Sequence, residues 1–298
     1  MTYSIVARDP ETGELGVAVQ SHYFSVGPIV PWVEAGVGAV ATQASIDVSY
    51  GPRGLDLMRG GKTASEALAA LVAKDELSSR RQVGMVDAAG NVATHTGDKC
   101  IAYAGHRSGP GVTVQANMME RDTVPDAMLA AYESTSGSLA TRMLAALDAA
   151  EAEGGDIRGK QSAAMVISEG KKHGETWQGR LLDLRVEDHP EPLIELRRLA
   201  QLHEAYRLFS AAEEAGNRGD AEEAAKLGMQ GMQLAQGNAE MDFWAALSMA
   251  TGGMMPMAKE FMARAVAVEP RLKELARRMP ATGQLLVTDE TIRELLED

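Results

Sequence analysis

The second residue of the chain carries a chemistry that needs no distant partner. Thr2 follows Met1, so removal of Met1 would leave a hydroxyl and a free α-amine on one residue. An α-amine titrates near ~7.7–8.0, which leaves much of it neutral at physiological pH and able to take the hydroxyl proton. A threonine paired with its own N-terminal amine is one of the arrangements that activates a hydroxyl for covalent catalysis. The alternative is a threonine that merely opens a strand. Other familiar constellations are missing. No phosphate loop ends in Gly-Lys-Ser/Thr, and there is neither a His-Glu-x-x-His pair nor a Gly-x-Ser-x-Gly elbow. The six histidines (His22, His95, His106, His173, His189 and His203) include no i, i+4 pair, so neither a metal nor any other cofactor is expected. Cys100 has no base beside it in sequence and reads as an inert thiol.

The elements that must position Thr2 are readable from pattern. Tyr3–Asp9 and Leu15–Val19 are apolar runs joined by Pro10-Glu11-Thr12-Gly13, which predicts a β-hairpin. A third strand is expected over Val37–Gln43. Helices are expected over Tyr50–Arg59 and Thr63–Lys74, the second opened by a capping box of Thr63 and Glu66. A second hairpin spans Gln82–Asp87 and Asn91–Thr96, with a further strand at Val112–Ala116. Helices at Val124–Ser134 and Leu139–Glu153 precede closing strands at Ser162–Ser168 and Leu181–Val186. Hairpin, helix pair, hairpin, helix pair, strands is an α+β order with mostly antiparallel sheets.

Several polar residues fall where these elements end. Ser21 and His22 close the second hairpin strand and could stand beside Thr2, or could simply begin a loop. Gln43 ends an otherwise small, apolar strand; a buried amide there must find a partner, a substrate amide being one option. Asn117 could donate to a developing oxyanion, or shape a turn. Asp156 and Arg158 precede the strand start at Gln161 and Ser162. They could bind a substrate's amine and carboxylate, or pair with each other.

Composition bounds the class. A chain of 298 residues suggests about two domains, and 45% hydrophobic with 24% charged residues is ordinary for a globular protein. The formal charge of −13 argues against gripping nucleic-acid phosphates. One cysteine excludes an internal disulfide. No apolar run approaches a membrane span, and the start lacks a basic leader with an apolar core, so a cytoplasmic protein without membrane contact is expected. Of the 30 glycines, 22 lie in residues 1–188, whereas nine of the 17 methionines lie beyond. With Pro190 and Pro192 interrupting the chain, this places a boundary near residue 189. Helices are expected over Leu193–Glu214, Ala221–Gln236, Ala239–Ala250, Pro256–Val268 and near Glu290–Glu297. Ala258, Met262, Ala265 and Pro270 keep tetratricopeptide-repeat spacing, with a poorer copy at Ala224 and Gly231.

Taken together, Thr2-Tyr3-Ser4-Ile5-Val6-Ala7-Arg8-Asp9, Glu14–Val19, Gly36–Ala44, Tyr50-Gly51-Pro52-Arg53-Gly54-Leu55, Gln115-Ala116-Asn117-Met118 and Gly154–Ala164 resemble the DUF1028 family over residues 2–188. That family is placed among the N-terminal nucleophile (Ntn) hydrolases. The resemblance implies a four-layer αββα sandwich over 1–188 and hydrolysis of a small amide or peptide-like substrate, with Thr2 as nucleophile. Proteasome-like members of that superfamily use a lysine soon after the opening hairpin. Here the first lysine is Lys62, so another residue must tune the hydroxyl. Residues 189–298 resemble the helical, TPR-like domain that often follows, labelled as peptidoglycan-binding. An interaction role and a homo-oligomer are expected for it, peptidoglycan fragments being the alternative ligand. A ligand-binding protein that kept the fold and lost the chemistry is the rival reading of the whole.

Overall fold

Strands β1 (Thr2–Arg8) and β2 (Leu15–Ser21) form the opening hairpin. Asp9 nucleates the turn, its carboxylate accepting from the backbone N–H groups of Glu11 and Thr12 at 2.8 Å each. The chain is seen here as a computed structural model that describes residues 2–283 and 287–296. Further strands follow as β3 (Pro31–Glu34), β4 (Gly38–Ala44), β5 (Arg81–Asp87), β6 (Val92–Thr96), β7 (Gly105–Gly109), β8 (Val112–Asn117), β9 (Ser162–Ser168) and β10 (Arg180–Val186). They make two sheets in the orders β10-β9-β2-β1-β8-β7 and β3-β4-β5-β6, with every pairing antiparallel.

Strand alternation decides the layers. Val6, Val17 and Val19 from one sheet meet Ala39, Ala41 and Val86 from the other in an apolar filling between the sheets. The opposite faces receive helices. Val40, Val83 and Met85 pack under α1 (Tyr50–Arg59) and α2 (Ala64–Val72). Tyr3, Ile5, Val114 and Met165 pack under α3 (Val124–Ser134) and α4 (Leu139–Ala152). The order is therefore helix pair, sheet, sheet, helix pair. Thr63 caps α2 as its spacing with Glu66 predicts, with both arms of the capping box present. Strands β3 and β7 were not expected, and Val37 lies just outside its strand.

The chain divides into two compact units, Met1–Ala200 and Gln201–Asp298. Helix α5 (Pro192–Asn217) starts in the first, where Leu193 and Leu196 join the core beside Val186. The second unit holds α6 (Ala221–Leu234), α7 (Ala239–Thr251), α8 (Met255–Val268), α9 (Leu272–Arg278) and α10 (Asp289–Leu296). Its core gathers Phe243, Leu247, Ala258, Met262, Ala265, Ile292 and Leu295. Gly231 brings α6 against Phe209, since a Cβ there would come within 3.1 Å of the ring. Helix α9 was not expected; of the helix expected near Glu290–Glu297, Glu297 lies outside the described residues. Among the described residues, no helix is long and apolar enough to cross a membrane.

Candidate functional site

Strand β1 runs through the middle of the larger sheet, paired with β2 on one side and β8 on the other. Its first residue therefore lies between two strand ends, with Thr2 opposite Asn117 and Tyr3 opposite Gln20. Alternation sends Thr2, Ser4 and Val6 toward the second sheet and Tyr3 and Ile5 toward α4. Thr2 Oγ1 lies 3.0 Å from Ser21 Oγ, and both residues are buried.

Below the two hydroxyls the apolar filling gives way to amides. Gln43 Nε2 donates to the Thr2 carbonyl at 3.1 Å, to Gln82 Oε1 at 2.8 Å and to the Gln115 carbonyl at 3.2 Å. Asn117 Nδ2 donates to the Thr2 carbonyl at 3.3 Å and to Gln82 Oε1 at 2.9 Å. Ser4 Oγ accepts from Gln115 Nε2 and donates to Gln43 Oε1, both at 2.6 Å. Gln82 Nε2 carries the chain onward to Thr96 Oγ1 at 3.0 Å, which lies 2.9 Å from His106 Nδ1. Every amide in a buried network needs its partners, and a satisfied network is rigid. Gly84 makes room for it: a Cβ there would come within 2.3 Å of Gln115 Oε1.

In this structure the Gln43 and Asn117 amides both hold the head of β1 in place. The amide hydrogens of Gln43 and Asn117 go to internal acceptors and clamp the Thr2 carbonyl. Neither side chain offers a hydrogen to a substrate in this arrangement. Ser4, Gln82 and Gln115 were not anticipated. Polar residues at every second position of buried strands were the signal that could have found them.

On the rim of this core, the Asp156 carboxylate is wholly buried and accepts from the His22 N–H at 3.1 Å and the Arg158 N–H at 2.9 Å. The Arg158 guanidinium also reaches it, Nη2 at 3.2 Å and Nε at 3.3 Å. Asp156 and Arg158 thus pair with each other, and together they sew the end of β2 to the approach to β9. Ser162 Oγ donates to the Tyr23 carbonyl at 2.5 Å and accepts from the Val26 N–H at 3.1 Å, holding the loop after β2. Gln161 points elsewhere, donating to Asp188 Oδ1 at 3.2 Å. Thr2, Ser21, Gln43 and Asn117 converge; His22, Asp156, Arg158 and Ser162 support the loops around them; Gln161 stands apart.

The other face of β1 carries a second polar contact. Tyr3 donates its hydroxyl to Glu151 Oε1. Burial, and then the neighbouring Glu151, hold the phenol well above its ordinary range, and burial raises the Glu151 carboxyl as well. Cys100 donates to the Arg81 carbonyl at 3.4 Å, and burial pushes its thiol up, which works against a nucleophilic thiolate. Among the described residues, no group of three or more His, Cys, Asp or Glu side chains could hold a metal ion. A cleft of about 490 Å³ is lined by Trp32, Glu34, Arg59, Arg180 and Arg185, and Thr2 is not part of its lining. Its guanidiniums are matched by Glu34, Asp56 and Asp183.

With this geometry in place, comparison with known proteins adds a family. A family model described as "Family of unknown function (DUF1028)" matches residues 2–196. The chain belongs to the DUF1028 family. A crystal structure of a DUF1028 protein from Silicibacter pomeroyi is similar at 30% identity and a TM-score of 0.60, covering 67% of this chain and 88% of that one. Anbu, the ancestral beta-subunit from Yersinia bercovieri, shares 12% identity at a TM-score of 0.32, covering 66% of this chain and 91% of its own. No curated protein matches the sequence.

Proposed function

We propose that the chain is an Ntn-type amidohydrolase for a small amide or peptide-like substrate, with Thr2 as nucleophile once Met1 is removed. The observation that carries the reading is the hydroxyl pair at the head of β1, Thr2 Oγ1 at 3.0 Å from Ser21 Oγ, above a carbonyl clamped by Gln43 and Asn117. In this reading Thr2 Oγ1 attacks the substrate carbonyl carbon and its proton passes to the Thr2 α-amine. The protonated amine returns that proton to the leaving nitrogen as the C–N bond breaks, leaving an ester on Thr2. Water then adds to the ester, losing a proton to the α-amine, and as the C–Oγ1 bond breaks the amine returns that proton to Oγ1, so the acid departs with Thr2 regenerated. Ser21 takes the tuning role that a lysine would fill, through a hydrogen bond to the attacking oxygen instead of a charge. The layered order of the first unit supports an Ntn sandwich. The buried Ala258, Met262 and Ala265 support a TPR-like second unit with an interaction or oligomerisation role, in a cytoplasmic protein.

One observation favours the rival. With the Gln43 and Asn117 amides committed internally, those two side chains supply no oxyanion donor, which suits a binding protein that does not turn its ligand over. Two measurements separate the readings. Mass spectrometry of the native protein should find Met1 gone. In a screen of dipeptides, N-acyl amino acids and muropeptides, Thr2→Ala should lose at least ~10³-fold in rate. Wild-type turnover by Thr2→Ala ends the hydrolase reading.

A further inference from the structure

The segments that surround the head of β1 expose large apolar side chains together. Met118 donates its N–H to the Ile101 carbonyl at 2.9 Å, Met119 to the Tyr103 carbonyl at 3.1 Å, and Ile157 to the Met118 carbonyl at 3.4 Å. The Asp156 carboxylate then joins this strip to His22. The loops after β2 and β8 and before β7 and β9 are thereby laced side by side at the Thr2 end of the sheet. Along them Tyr23, Phe24, Ile101, Tyr103 and Ile157 are each 52–65% exposed. Scattered exposed apolar residues need no explanation, but five of them on loops gathered at one end of a sheet point to a place where something binds.

We propose that this rim is the specificity surface of the Thr2 site, and that the substrate is a neutral amide carrying an aromatic or branched apolar group next to the scissile bond. The inference rests on the amidohydrolase reading. Thr2 is only 3% exposed, so a carbonyl that reaches Oγ1 brings its flanking groups against the surrounding loops. The backbone N–H groups of Met118, Met119 and Ile157 are satisfied within the rim, so at these three residues it presents side chains and not free backbone donors. The Arg158 guanidinium lies on Asp156, which leaves apolar contact as the discriminating force. A second copy seated on the same loops would stand over Thr2, and a working site rules that occupant out.

The test uses the whole chain carrying Thr2→Ala, so that binding is read without turnover. N-acetyl-L-phenylalaninamide should bind at least ~10-fold more tightly than N-acetylglycinamide by calorimetry, the ratio expected for sheltering one aromatic ring. Phe24→Ser with Tyr103→Ser should erase the ratio. Trp177→Ser, an exposed aromatic between β9 and β10, should keep it and serves as the control for a folded protein. Equal affinity for the two probes overturns the proposal, as does a preference that survives the rim double variant. A drop in oligomeric mass in that variant with no change in probe preference assigns the rim to a second copy and overturns it too. If the preference tracks the rim while the Met1-free wild type hydrolyses no amide at all, the rim stands and the hydrolase reading falls.

Discussion

At the scale of single residues, the hydroxyl contact between Thr2 and Ser21 makes the sharpest claim. Ser21→Ala removes one neutral hydrogen bond to the oxygen proposed to attack. Such a bond is worth ~0.5–1.5 kcal/mol, so kcat/KM should fall roughly 2- to 12-fold, far short of the loss in Thr2→Ala. A free α-amine must be neutral to accept the proton, so the wild-type rate should rise as pH passes through ~7.7–8.0. A pH–rate profile on Met1-free protein reads this directly; a flat profile across that range would assign the base elsewhere. Ser21 was legible beside Thr2 because hairpin register brings the end of β2 to the start of β1, whereas Gln43 and Asn117 stood out only as polar residues at strand ends, with nothing in the sequence to set them beside Thr2. What the Gln43 and Asn117 amides do was not legible. Their partners, Gln82 and Gln115, come from strands about 30 to 70 residues away, and only the stacking of two sheets brings them into reach.

Elements explain which parts of the fold could be read in advance. Helix α1 was legible to the residue, and the α2 cap to its reciprocal bonds, because local periodicity and capping chemistry set both. Strand β3 is four residues beginning with a proline, and β7 reads Gly-His-Arg-Ser-Gly. Each is an edge strand with no apolar alternation, held by its neighbour and not by its own pattern. Helix α9 is short and has no side-chain cap. Two stability measurements belong here. Gly84→Ala would force a methyl into Gln115 and disturb the amide network across two sheets; ~1–3 kcal/mol of destabilisation is expected from overpacking, read as a lower urea midpoint. Glu151 tests the opposite face. Its folded carboxyl is raised, so the fold favours the protonated form. That favourable contribution is complete at and below the ordinary glutamate range (~4.3) and fades as pH rises through the raised value. Glu151→Gln keeps an acceptor for Tyr3 without the charge, so its urea midpoint should decline less than the wild type's as pH rises above that range.

Across the whole molecule, the first unit is asymmetric from end to end. The space between its sheets is apolar around Val6, Val17 and Val19 and turns to amides near Thr2, so the apolar filling and the proposed chemistry occupy opposite ends of one interface. No stretch of sequence announces this division, nor the rim of loops, because each is assembled from segments far apart in the chain. The placement of Thr2 in mid-sheet has a practical corollary. Most chain starts fray, and a purification handle fused there does little harm. Here anything attached to the Thr2 nitrogen sits on the same residue as the hydroxyl proposed to attack and acylates the very amine proposed as base. Protein bearing such a leader should be inert and blind to amide probes. The same protein with its handle at the other terminus, or with the leader trimmed back to threonine, should not be.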